Sequence, residues 1–325
     1  MIEKINKDDI HTIGRHSNWS KKSVDEVLQK EIYNDADSWR KFIQIALIAL
    51  GTGFTIIGVV FFFAYNWDDI HKFIKIGIVE GVILIMGSMV LFTKMNITIK
   101  NILLTGTAVL VGVLFAVFGQ IYQTGANAYD LFLTWVFAIT LWVLISNFAP
   151  LWLLYITLIN TTFILYSQQV ATDWSVTLIA LILSVINTVF LVTFLFISKI
   201  RENTDAPVWF SNIIALAAVI FATGGIMIGI IIDEPDYLIS SFILMGLTGI
   251  FYCIGIWYAY KEKRAFYLAV IPFSTVIIIS TGICKTADGD LAGTLLLLTF
   301  FVIASVTLIV INILNTQKKW KNEHN

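Results

Sequence analysis

Charge is what this sequence has least of. Of its 325 residues only 13% are Asp, Glu, Lys or Arg, while 58% are hydrophobic and the mean hydropathy is +0.84. A soluble domain has roughly a quarter of its residues charged, so water is excluded as the solvent for most of this chain. A net charge of −1 excludes the basic footprint that nucleic-acid binding needs. Cysteine is nearly absent, and Cys253 and Cys284 both fall in apolar runs. That excludes the disulfide framework of small secreted domains and leaves the two as packing residues. The four histidines, His11, His16, His71 and His324, all stand outside the apolar runs. Neither an H-E-x-x-H zinc helix nor a G-x-S-x-G elbow occurs. No catalytic group, metal or cofactor is therefore expected. The first 41 residues are polar, without the early apolar region of a cleaved signal peptide.

What the sequence does have is a succession of apolar runs, at 42–64, 73–93, 102–121, 131–148, 151–167, 176–198, 209–232, 238–260, 266–284 and 291–314. A helix needs about 20 residues to cross a hydrocarbon layer about 30 Å thick. The runs predict an all-α, polytopic membrane bundle of about ten transmembrane helices. The first would serve as an uncleaved signal anchor. The break at Asn147-Phe-Ala-Pro150 leaves two short spans or one re-entrant element. Residues 1–41 form a leader, 42–314 the membrane domain and 315–325 a basic tail. In the leader, Ile5, Ile10 and Ile13 sit at helical spacing, broken near Gly14 to Asn18. A second helix starts at Ser20 or Ser23, where Ser23 and Glu26 fit a capping box. The leader is a short helical hairpin too small for a core of its own.

Basic residues order the turns. With the N-terminus inside, Arg40, Lys41, Lys94, Lys100, Lys199, Arg201, Lys261, Lys263, Arg264, Lys318, Lys319 and Lys321 fall on the inner side. Only Lys72, Lys75 and Lys285 fall outside. This is the positive-inside pattern, and it places both termini in the cytoplasm. The outer turns are acidic, with Asp68, Asp69, Asp130 and Asp173 among them, and helix capping accounts for such residues.

Two stretches stand out. Phe61 to Glu80 holds the turn Asn66, Trp67, Asp68 and Asp69 at a membrane interface, followed by Glu80 in mid-span, where an ionised side chain costs roughly 2.5 kcal/mol or more. Gly77, Gly81, Gly87 and Ser88 share its helix, and the preceding run offers Gly51, Thr55 and Gly58. Small residues at this spacing let helices approach, so the two helices are expected to pack as a hairpin with Glu80 facing protein or a cavity. The second stretch, Phe118 to Trp135, gathers Gln120, Tyr122, Gln123, Asn127, Tyr129 and Asp130 between Gly119 and Gly125. It reads as an outer turn or as a broken helix of the transporter kind. Asn160 and Asn187 are interior amides suited to joining helices.

The residues Phe62-Phe-Ala-Tyr-Asn-Trp-Asp-Asp69 with Lys72 to Glu80, and Gly119 to Gln123 with Asp130 to Trp135, resemble a bacterial family of predicted membrane proteins with a domain of unknown function, DUF2157. The resemblance covers roughly residues 1–170. It implies an integral protein of the bacterial inner membrane and brings no activity, substrate or cofactor. It also implies a membrane complex, since family members stand beside a second multi-pass protein bearing a Gly-Asp-Tyr motif. Three functions follow. One is a non-enzymatic component of an envelope complex, with the lipid bilayer and a membrane protein or a second copy as partners. A second is a small-solute or ion transporter using Glu80 and the Gly119–Asp130 segment. The third is a lipid-linked transferase using Asp68 and Asp69 on the outer face.

Overall fold

No water reaches the backbone inside a bilayer, so an apolar run must close its hydrogen bonds within itself, as a helix does. The computed structural model describes residues 7–28, 36–65, 70–123, 125–200, 207–232, 235–286 and 291–323. Their helices are α1 (Lys7–His16), α2 (Lys21–Val27), α3 (Ala36–Tyr65), α4 (Lys72–Phe92), α5 (Ile97–Tyr122) and α6 (Ala128–Ser146). After these come α7 (Ala149–Gln169), α8 (Val176–Ile200), α9 (Val208–Ile231), α10 (Pro235–Lys261), α11 (Ala265–Lys285) and α12 (Leu291–Asn322). No strand occurs among the described residues. Helices α3 to α12 supply ten spans long and apolar enough to cross a membrane, one for each apolar run. The fold is an all-α polytopic bundle.

The break at Asn147 resolves into two helices. Asn147 takes a left-handed backbone (φ 47°) that ends α6. Pro150 stands in the first turn of α7, where its missing N–H leaves no bond unmade. No re-entrant element forms here.

The chain divides into two compact units, Met1–Thr124 and Gly125–Asn325. The leader thus belongs with α3 to α5, and the basic tail continues α12 as helix. In the leader α1 packs on α2, with Ile10 and Leu28 buried. Helix α1 ends at His16, within the break expected from Gly14 to Asn18, and Gly14 itself is still helical. It lies against Val24, whose Cγ2 would stand 2.7 Å from an added Cβ. The next helix starts at Ser20, one of the two expected positions. Ser20 caps α2, its Oγ accepting from the Ser23 N–H at 3.1 Å. Ser23 is thereby inside the helix and is not the cap.

In the first unit α5 is central, with 39% of its apolar stretch buried against 6% for α3 and 17% for α4. It packs against both. Phe63, Val79 and Val117 form one cluster across the three helices, and Met86, Ile99, Leu103 and Leu110 form another. The tight approach is at Gly106 on α5, where a Cβ would lie 2.3 Å from Thr52 Cγ2 and 3.0 Å from Met86 Cε. The expected glycine-to-glycine packing of α3 on α4 does not form. Gly51, Gly58, Gly77, Gly81 and Gly87 have nothing within 4 Å of an added Cβ. Gly51 and Thr55 instead line a cavity of about 370 Å³ shared with Met86 and Met89.

In the second unit α9 is central. It packs on α8, α10 and α11, and α8 on α9 is the most extensive pairing in the chain. Gly225 makes that closeness possible, since an added Cβ would lie 2.5 Å from Ala180 Cβ. Hydroxyls link the helices where apolar packing leaves polar atoms. Thr177 and Ser240 pair at 2.5 Å, Thr223 and Ser274 at 2.6 Å, and Tyr252 joins Ser274. None of the apolar stretch of α12 is buried. Its C-terminal end is held by Glu323, 3.0 Å from Lys263 in the turn between α10 and α11.

Candidate functional site

Glu80 is the one acid in the middle of a described span. Its helix α4 runs Lys72–Phe92, so Glu80 lies about 3 Å along the axis from the helix midpoint. The buried side of α4, Lys75, Val79 and Met86, packs against α5. At 100° per residue Glu80 falls off that side, together with Gly77, Leu84 and Ser88. All four are exposed. The expectation that Glu80 faces protein or a cavity is therefore not met within its own unit. The face is flat because its glycines carry no side chain, and nothing lies within 4 Å of where a Cβ would be at Gly77 or Gly81.

The second polar stretch is divided by the fold. Helix α5 runs through Gly119 without a break and ends at Tyr122. Gln123 (φ 43°) and Gly125 (φ 65°) then turn the chain in the left-handed region. This is a turn between helices, not a helix broken within the membrane. Gln120 is exposed. Tyr122 is half-exposed against Phe118, with ring centres 4.5 Å apart, and Lys72 Nζ lies 6.0 Å from the Tyr122 ring. Val79 and Val117 share a cluster, so Gln120 and Tyr122 lie one to two turns beyond the level of Glu80. Asp130 belongs to the second unit and is a cap. Its Oδ2 accepts from the Asn127 N–H at 3.1 Å, closing a capping box at the start of α6. Tyr129 N–H donates to Gln169 Oε1 at 3.1 Å, tying that start to the end of α7. Asn66, Trp67, Asp68 and Asp69 lie outside the described residues.

The interior amides do what their composition suggested. Asn160 Nδ2 donates to Asn187 Oδ1 at 3.1 Å, and Asn187 Nδ2 returns a bond to Asn160 Oδ1 at 2.9 Å. Asn187 is fully buried and also donates to the Leu183 carbonyl. No group of three or more His, Cys, Asp and Glu able to hold a metal ion occurs among the described residues.

Ten apolar helices, polar groups spent within helices or on joining them, and one glutamate on an open mid-span face define a multi-pass integral membrane protein. Residues 20–152 match the model of the family DUF2157, described as a predicted membrane protein. The match covers the N-terminal part of the chain, from α2 into the first turn of α7, and is narrower at both ends than the resemblance read from the sequence. No curated protein and no solved structure matches the chain.

Proposed function

We propose that this protein is a non-enzymatic component of a bacterial inner-membrane complex, and that the Glu80 face of α4 receives a transmembrane helix of its partner. One observation carries this reading: a carboxyl group near mid-helix stands exposed on a glycine-lined face. Lipid offers such a group no hydrogen bond, and its ionised form is costly there. A partner helix with a donor at the same depth offsets both penalties, and Gly77 and Gly81 let its backbone come close. The segregation of basic residues supports placing both termini in the cytoplasm.

Purification in mild detergent tests the proposal. The wild-type protein is expected to bring a membrane partner or a second copy with it. Glu80→Leu should weaken that association about threefold to twentyfold, the range of one interhelical hydrogen bond. Recovery of a lone monomer at every expression level would overturn the proposal. So would a Glu80-face cross-link confined to a single chain.

A further inference from the structure

The second unit contains a cavity of about 450 Å³ walled by α8, α9, α10 and α11. Its walls are apolar, with Leu195, Phe196, Phe251 and Ile271 among them, and its mouth is Lys199, Trp257 and Tyr258. Its floor is polar, formed by Ser184, Thr188 and Thr248. Ten residues of α10 separate Thr248 from Tyr258, about 15 Å of helix. That is half of a hydrocarbon core about 30 Å thick, so the slot is one leaflet deep. It opens sideways, because its lining residues Val192 and Ile254 are 58% and 55% exposed. A hydrocarbon chain can therefore enter from the bilayer.

The mouth is basic. Lys199 closes the last turn of α8, and no described carboxylate forms an ion pair with it. Lys261 lies at the same end, its Nζ 4.7 Å over the Trp257 ring. Tyr267, in the first turn of α11, also lines the cavity, and its side chain is buried beside Ser211. At the floor the Thr248 hydroxyl is buried and unbonded. Thr107, Thr162, Thr188 and Thr275 instead donate to the carbonyl four residues back.

From these features we infer that the slot holds one hydrocarbon chain of an anionic, phosphate-headed membrane lipid, with the phosphate at Lys199. The apolar wall takes the chain, and the polar floor ends it near the bilayer centre. An anionic glycerophospholipid and a polyprenyl phosphate share this chemistry.

Native mass spectrometry of the full chain distinguishes them. The protein is placed in nanodiscs of phosphatidylethanolamine containing either phosphatidylglycerol or a polyprenyl phosphate, and the lipids retained after release are counted. One anionic lipid should be retained, and the arm that retains it names the source. Lys199→Gln should lower retention about fivefold and Lys199→Glu by about that factor again, while Lys199→Arg keeps it. Val192→Trp, at the exposed rim, should block the chain with helicity and monodisperse elution unchanged, which separates loss of lipid from loss of fold. Equal retention of phosphatidylethanolamine would overturn the inference. Unchanged retention in Lys199→Glu or Val192→Trp, or displacement by inorganic phosphate alone, would do the same.

Discussion

An amide buried in an apolar helix can satisfy itself only on another amide or on a carbonyl, and the Asn160–Asn187 pair does both. Removing one partner strands the other. Asn187→Ala should lower stability by about 1–2 kcal/mol, the range of interhelical hydrogen bonds in membranes. Asn160→Ala should cost a similar amount. The double variant should cost less than the sum, because the second change removes an orphan already made. Unfolding of the purified protein in a denaturing detergent measures all three, and strict additivity would show that the pair does not act as a unit. This pair was legible in the sequence because an asparagine amid leucines and isoleucines has few other uses. Glu80 was legible for the same reason, but its surroundings were not. Glycines spaced three and four apart announce a flat face and do not say what covers it. Asp130 has the use expected of the outer acids: a carboxylate three residues after Asn127 closes a capping box.

At the scale of the helix, length and hydropathy made all ten spans readable, since the hydrocarbon layer sets one requirement for each. Which glycine meets which helix was not readable, because that depends on crossing geometry and not on local pattern. Gly106 and Gly225, unremarkable in sequence, are among the close approaches, while the conspicuous Gly77 and Gly81 stand open. Substitution should separate the two kinds. Gly225→Ala drives a methyl group against Ala180 and should cost about 1–3 kcal/mol, as overpacking does. Gly81→Ala meets no atom and should leave the isolated protein unharmed, or stabilise it by up to about 1 kcal/mol through helix propensity. Thermal unfolding of the two variants side by side checks this, and equal losses would refute the assignment. The start of α2 shows the limit of motif reading, since Ser20 and Ser23 both suit a cap and only the observed backbone selects Ser20.

Over the whole molecule, each unit separates its basic residues by end. In the first unit Arg40, Lys41, Lys94 and Lys100 lie at the end opposite Lys72 and Lys75. In the second, Lys199, Lys261, Lys263, Arg264, Lys318, Lys319 and Lys321 lie opposite Lys285. If both ends lie in the cytoplasm, as proposed, fusing alkaline phosphatase or a fluorescent protein to each terminus should give fluorescence and no phosphatase activity. Phosphatase activity at either terminus would reverse the assignment. The division at Thr124 had no compositional signal. The stretch around Gly125 stood out for its polar residues and not as a join between units, and the grouping of helices into units rests on contacts far apart in sequence.

The short turns have a consequence of their own. Residues 93–96, 147–148 and 262–264 are all that join their flanking helices, so these connections offer almost nothing to a protease, an antibody or a soluble ligand. Encounters through the helices take place in a plane, and the quantity that governs them is molecules per lipid, not molecules per litre. Association through α4 should therefore respond to added lipid at fixed volume, and adding buffer should leave it unchanged.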